Sequence, residues 1–178
     1  MSGHNKWSQI KHKKGITDAK KSKIFSKLAK YIAVEVKISK GDINSPGLRS
    51  AIEKSRKANM PQDNIERAIK KASESSVAME AITYEAYGPG GVGLIIETLT
   101  DNRNRTAPEI KHILSENNSS LAGIGAVKWA FNKNPSTNAG WTASTTVPLS
   151  DEDLDKLEKL VDDLEENDDV QEVYTNAE

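Results

Sequence analysis

No cysteine occurs in this chain, so disulfides and cysteine-based metal or redox sites are excluded, and a reducing compartment fits. Aromatic residues are only 5% of the 178 and hydrophobic residues 36%, enough for modest cores in one medium domain or two small ones. A run of about 18 apolar residues, the length a membrane helix needs, is missing, so no membrane partner is expected. Arginine is absent from the first 48 residues, which argues against an Arg-rich presequence. No apolar segment follows the first lysines, so a secretory signal is not expected either, and Ser2 stands where myristoylation needs glycine. The expected location is the cytoplasm.

Histidine is scarce too. His4, His12 and His112 have no Cys partners and no HExxH spacing, so neither a metal nor another cofactor is expected. Nucleophile-elbow and kinase signatures are missing. The many carboxylates of 151–172 recur at helical spacing, as on the wet face of an amphipathic helix. With no convergent nucleophile, metal or acid/base set, an enzyme is not expected.

What the chain does have is a charge split. Residues 1–72 carry 18 Lys/Arg against 6 Asp/Glu, a balance of +12; residues 73–178 carry 7 against 20, a balance of −13. The net −1 conceals a polyanion-binding half joined to an acidic half.

Periodicity follows the same division. Thr17 and Asp18 are N-cap candidates for a long helix to about Ser39, with Ile24, Phe25, Leu28, Tyr31, Ile32 and Val36 on one face. A second helix is expected over 46–58, opened by Pro46, with Leu48, Ala51, Ile52 and Ser55 inward. A third carries Ile65, Ala68, Ile69 and Ala72. After a Ser73–Ser76 linker the period changes to that of strands. Residues 80–87 alternate, Gly88-Pro89-Gly90-Gly91 turns the chain, and Val92–Leu99 returns. Leu94, Ile95 and Ile96 in succession imply a strand buried on both faces.

Thr106-Ala107-Pro108-Glu109 reads as a capping box opening a helix. Val127, Trp129 and Phe131 suggest a third strand, Trp141–Leu149 a fourth and Val170–Tyr174 a last one. Between these lies a helix opened by Ser150 and Asp153, with Leu154, Leu157, Leu160, Val161 and Leu164 inward. The expected fold class is α+β. A basic three-helix domain (1–76) precedes an acidic ferredoxin-like sandwich (77–178) of order β-α-β-β-α-β, with one extra strand in front.

The chemistry concentrates on the long helix. Lys20, Lys23, Lys27, Lys30 and Lys37 recur at spacings of 3, 4, 3 and 7, one basic stripe. Upstream, Lys6, Lys11, Lys13 and Lys14 extend the charge around Trp7, whose ring can stack on an unpaired base. Lysine is a flexible point charge suited to phosphate oxygens, and neutralising phosphates releases counterions. A lysine-rich face is ordinarily just a solvated one, but such faces interleave Glu and this stripe has none. Arg103 and Arg105, in Asp101–Thr106, are the only basic residues between Lys71 and Lys111. They suit a polar site at a strand–helix junction or a turn satisfying its own backbone equally well. The Gly88–Gly91 run lacks the Gly-Lys-Ser/Thr of a phosphate loop and precedes a strand, so it reads as a hairpin turn.

Several segments resemble one family. Gly3-His4-Asn5-Lys6-Trp7-Ser8-Gln9-Ile10-Lys11-His12-Lys13, Lys23-Ile24-Phe25-Ser26-Lys27, Asn59-Met60-Pro61, Tyr84–Gly91, Thr100–Thr106 and Asp168–Asn176 are together similar to the YebC/PmpR family. The resemblance implies DNA-binding transcriptional regulation. It also implies ribosome-associated translation, since a mitochondrial translational activator and factors acting on proline-rich stretches belong to the family. Typical members resemble a three-domain protein; here about ten residues around Asn132–Gly140 stand where a further α/β domain is inserted, so this is a short form.

The expectation is therefore a nucleic-acid-binding regulator with DNA or RNA as partner, and a protein partner for the acidic domain. A ribosomal-RNA-binding translation factor is the alternative, and a small-molecule sensor is the reading from another class.

Overall fold

The computed structural model describes residues 6–13, 17–133 and 140–178. Its elements run α1 (Lys6–Lys13), α2 (Asp18–Ile38), α3 (Pro46–Lys57), α4 (Gln62–Glu74), β1 (Glu80–Tyr87), β2 (Gly93–Thr100), α5 (Arg103–Glu116), β3 (Ser120–Leu121), β4 (Phe131–Lys133), β5 (Trp141–Ala143), α6 (Asp151–Glu166) and β6 (Val170–Thr175). They form two compact units. One runs from α2 to Ala81 and takes in Leu99–Arg103; the other holds α1, Ile82–Thr98 and Asn104–Glu178.

In the helical unit the cap at Thr17 is where the sequence puts it, and Ser45 caps the next helix. The Thr17 hydroxyl accepts from the Lys20 N–H at 3.3 Å, and the Ser45 hydroxyl from the Leu48 N–H at 3.3 Å. Each bond satisfies a donor that the first helical turn leaves without an intrahelical partner. Leu28, Ile32 and Val36 of α2 bury against Leu48 and Ala51 of α3 and Ile65 and Ala72 of α4, with Met60 closing the α3–α4 turn. Ser55, buried in α3, turns its hydroxyl back to the Ala51 carbonyl at 2.8 Å.

The second unit is α+β, with a different sheet from the one expected. The four-stranded sheet has the order β3-β1-β2-β6, and β4 and β5 form a separate two-stranded sheet. The strand expected in front of the sandwich is thus a central one. The short Gly88–Gly91 connection forces β1 and β2 to pair directly; Gly90 and Gly91 take φ of 65° and 79°, and the Gly88 N–H closes the turn on the Val92 carbonyl. A Cβ on Gly90 would lie 2.3 Å from Leu149. The expected strand at 127–131 shrinks to β4, because Lys128–Ala130 coil into a 3₁₀ turn. The expected strand 141–149 shrinks to β5, and Val147 then runs beside the C-terminal segment, bridging Ala177.

Helices α5 and α6 cover one face of the sheet. Ile110, Leu114, Leu157, Leu160 and Leu164 meet Ala86, Leu94, Ile96, Val170 and Val173 there. The opposite face of β2 points Ile95 at Val127 and Ala130 of the 3₁₀ turn and Phe131 of β4. Burial on both faces explains the unbroken apolar run of β2. Helix α6 starts at its expected cap: the Ser150 hydroxyl accepts from the Asp153 N–H at 3.2 Å and donates to its carboxylate at 3.0 Å.

One further expectation is corrected. Helix α5 begins at Arg103, three residues before the proposed capping box, and takes Pro108 into its second turn. Thr106 does not cap it, since its buried hydroxyl is used elsewhere in the fold. The N-terminal arm contains helix α1, which belongs to the sheet-bearing unit.

Candidate nucleic-acid interface

The stripe lysines rise along α2 on the side turned away from Leu28, Ile32 and Val36. Lys20, Lys23, Lys27 and Lys30 are half-buried along their stems and Lys37 is exposed, as expected of side chains that lay a methylene stem on the helix and extend the ammonium. Lys30 and Lys37 also border a groove of about 420 Å³ between α2 and α4. Its floor is made of alanines, Ala29 and Ala33 from α2 and Ala68 and Ala72 from α4. Small side chains there hold the helices close while leaving a shallow trough between them. Lys71 of α4 lines the same groove, and Asp101 is its acidic lining residue. The Lys37 ammonium donates to the Ser75 carbonyl at one end.

Lys71 was not among the expected residues. The only signal for it was its place one turn beyond Ala68, on the flank of α4's apolar face. A helical pattern does not say which neighbouring helix that flank meets.

The remaining candidates are dispersed. The Lys6 ammonium pairs with the Asp151 carboxylate at the start of α6. Trp7 is half-buried against the core formed by the sheet, α5 and α6, so its ring serves packing. Lys14 and the side chains of Lys11 and Lys13 lie outside the described residues. Arg103 pairs with Glu80 at 3.7 Å. The Arg105 guanidinium donates to the Asp169 carboxylate at 2.8 Å, and the Thr106 hydroxyl donates to the same oxygen at 2.7 Å. The Asp101–Thr106 segment thus splits between local pairing and an anchor for the turn before β6.

Sequence reasoning missed a buried carboxylate. Alternation sets Glu85 on the face of β1 opposite Ile82, Tyr84 and Ala86, and it is buried there under the loop that leads to β4. It accepts from the backbone N–H groups of Gly125, Val127 and Lys128 at 2.7, 2.8 and 2.9 Å, with the Lys128 ammonium at 3.8 Å. Burial alone would push its pKa up; the three N–H donors and Lys128 outweigh that and hold it below the usual glutamate range. Its role is to fold a loop around a charge.

Among the described residues, no helix is long and apolar enough to cross a membrane, and no three acidic or histidine side chains gather as a metal site would need.

Comparison with known proteins gives a consistent picture. Residues 5–75 match the model described as the TACO1/YebC protein N-terminal domain. Residues 79–137 and 133–177 match the TACO1/YebC second and third domain, in two pieces that meet at the β4–β5 hairpin. A probable transcriptional regulatory protein of Trichlorobacter lovleyi is 46% identical over 178 residues, covering 98% of this chain and 70% of the relative. One from Thermoanaerobacter pseudethanolicus is 40% identical over 239 aligned positions, covering all of this chain and 97% of the relative. The crystal structure of a conserved hypothetical protein of Aquifex aeolicus superposes with a TM-score of 0.83 at 32% identity, over 97% of this chain and 96% of that one. On the match of its two halves to these domain models and its identity to these relatives, the chain belongs to the TACO1/YebC family.

Proposed function

We propose that this protein is a nucleic-acid-binding regulator of gene expression that grips the phosphate backbone through the lysine face of α2. The carrying observation is the stripe Lys20, Lys23, Lys27, Lys30 and Lys37, with no acidic residue interleaved and with Lys71 of α4 added beside Lys30 and Lys37. Helix packing supports the reading, because Leu28, Ile32 and Val36 hold the opposite face of α2 in the core, so the lysines lie on the flank turned away from it. The names of the relatives, probable transcriptional regulatory proteins, support the regulatory part.

Phosphate contacts position a protein without encoding the polymer, so the stripe serves DNA and structured RNA alike. The test is binding of the full chain to a generic duplex DNA and to a structured ribosomal RNA fragment. Replacing Lys20, Lys23, Lys27 and Lys30 together by Glu abolishes binding while circular dichroism and thermal melting stay near wild type. Full affinity in that variant sinks the proposal. The two arms also separate a promoter-binding role from a ribosomal one.

A further inference from the structure

A second surface stands apart within the acidic half. From Asn117 to Ser150 the chain has no Asp or Glu and carries Lys128 and Lys133, although residues 73–178 hold 20 acidic residues in all. The loop between β3 and β4 lies in this stretch and exposes Trp129 at 69% and Ile124 at 99%; Tyr87 of β1 is exposed at 44%. A tryptophan left this open is unusual, since its large apolar area is ordinarily covered.

The exposed rings are not loose. The Trp129 indole N–H donates to the Ala126 carbonyl at 2.9 Å, and the Tyr87 hydroxyl donates to the same oxygen at 3.4 Å. The loop backbone is held in turn by Glu85, through Gly125, Val127 and Lys128. The ordering that a binding site must supply is thus already present in the fold. With its only polar hydrogen engaged, Trp129 offers a flat π face and no hydrogen bond. Lys128, in the 3₁₀ turn before β4 and 3.8 Å from Glu85, and Lys133 of β4 stand 5.9 and 5.4 Å from the Trp141 ring centroid, so two cations gather on this segment. A rigid aromatic face that follows Lys128 in sequence, in a segment without acidic residues, suits an unpaired base with its phosphate.

We propose that Trp129 and Tyr87, with Lys128 and Lys133, form a stacking platform for an unpaired base of single-stranded nucleic acid. It rests on the nucleic-acid reading above and adds to the α2 lysines a contact that a closed duplex does not use.

The experiment measures the full chain by fluorescence anisotropy against a labelled oligo-uridine, an oligo-thymidine and a duplex of matched length. Trp129→Ala weakens oligonucleotide binding roughly tenfold or more and leaves duplex binding unchanged. Trp129→Phe, which keeps a ring, retains most of the affinity, and melting curves of both variants match wild type. Unchanged oligonucleotide affinity in Trp129→Ala overturns the platform while leaving the duplex grip intact. Failure of the wild-type chain to bind the oligonucleotides overturns it too. If sedimentation instead shows that Trp129→Ala removes self-association and spares oligonucleotide binding, the patch is a protein interface and the platform is wrong. Loss of the α2 proposal is read separately, as unchanged duplex binding in the four-lysine variant.

Discussion

Arg105 on α5 and Asp169 before β6 are 64 residues apart in sequence and 2.8 Å apart in space. The Asp169 side chain is only 3% exposed while that of Arg105 is 44% exposed, so a buried anion is reached by a cation from the surface. Thr106 donates to the same carboxylate oxygen, and the Asp169 N–H is held by the Asn167 side chain at 2.9 Å. Two segments that resemble family motifs, Thr100–Thr106 and Asp168–Asn176, therefore meet to lock α5 onto the sheet.

Removing that carboxylate has a predictable cost. Asp169→Ala leaves the buried Thr106 hydroxyl without its acceptor and should destabilise by about 2 kcal/mol, read from urea unfolding midpoints. Arg105→Ala should cost less, since Thr106 still satisfies one lone pair. Equal losses in the two variants would contradict the assignment of Asp169 as the hub.

Glu85 carries a pH signature. Its folded pKa is depressed, so its contribution to stability is present above the usual glutamate range and disappears as pH falls through the lower folded value. Glu85→Gln keeps the shape but puts an amide where only acceptors fit, at a cost of about 1–3 kcal/mol near neutrality. The gap between wild type and variant should narrow on acidification, as followed by thermal melts across acidic pH. A gap independent of pH would rule out the charged form as the stabilising one.

Gly93, on the hairpin-facing side of β2, tests how closely the two sheets approach. A Cβ there would stand 2.5 Å from Val127, and the Gly93 N–H donates to the Asn176 side chain at 2.7 Å. Gly93→Ala should cost about 1–3 kcal/mol through overpacking. Gly123→Ala, where nothing lies within 4 Å of the added carbon, should cost little, and comparing their midpoints checks the pair.

The α2 lysines predict a salt law. Log affinity for duplex DNA should fall linearly with log salt, by about 0.9 per phosphate neutralised. Replacing Lys30 or Lys71 singly by Ala should flatten that slope by roughly one each, with little change in base preference. A slope unmoved by Lys71→Ala would remove α4 from the interface.

The sequence by itself determined the local elements and the division of charge. Thr17 and Ser150 were legible as caps because a cap is a contact across three residues. The apolar faces of α2, α3, α4 and α6 were legible because period 3.6 is written in neighbours. The all-apolar run Leu94-Ile95-Ile96 announced a strand covered on both sides, and the Gly88–Gly91 turn announced itself by residue type.

Tertiary structure decided which strands share a sheet, since pairing is a contact between distant residues that no periodicity encodes. It turned an expected leading strand into a central one and set the β4–β5 hairpin apart. Tertiary contacts also decided the fate of polar residues. Glu85 is a buried clamp on the loop before β4, Arg105 holds Asp169, and Trp7 packs on the core of the sheet-bearing unit. Each depends on a partner at least 40 residues away, and burial of a polar group is stable only where such a partner completes its hydrogen bonds.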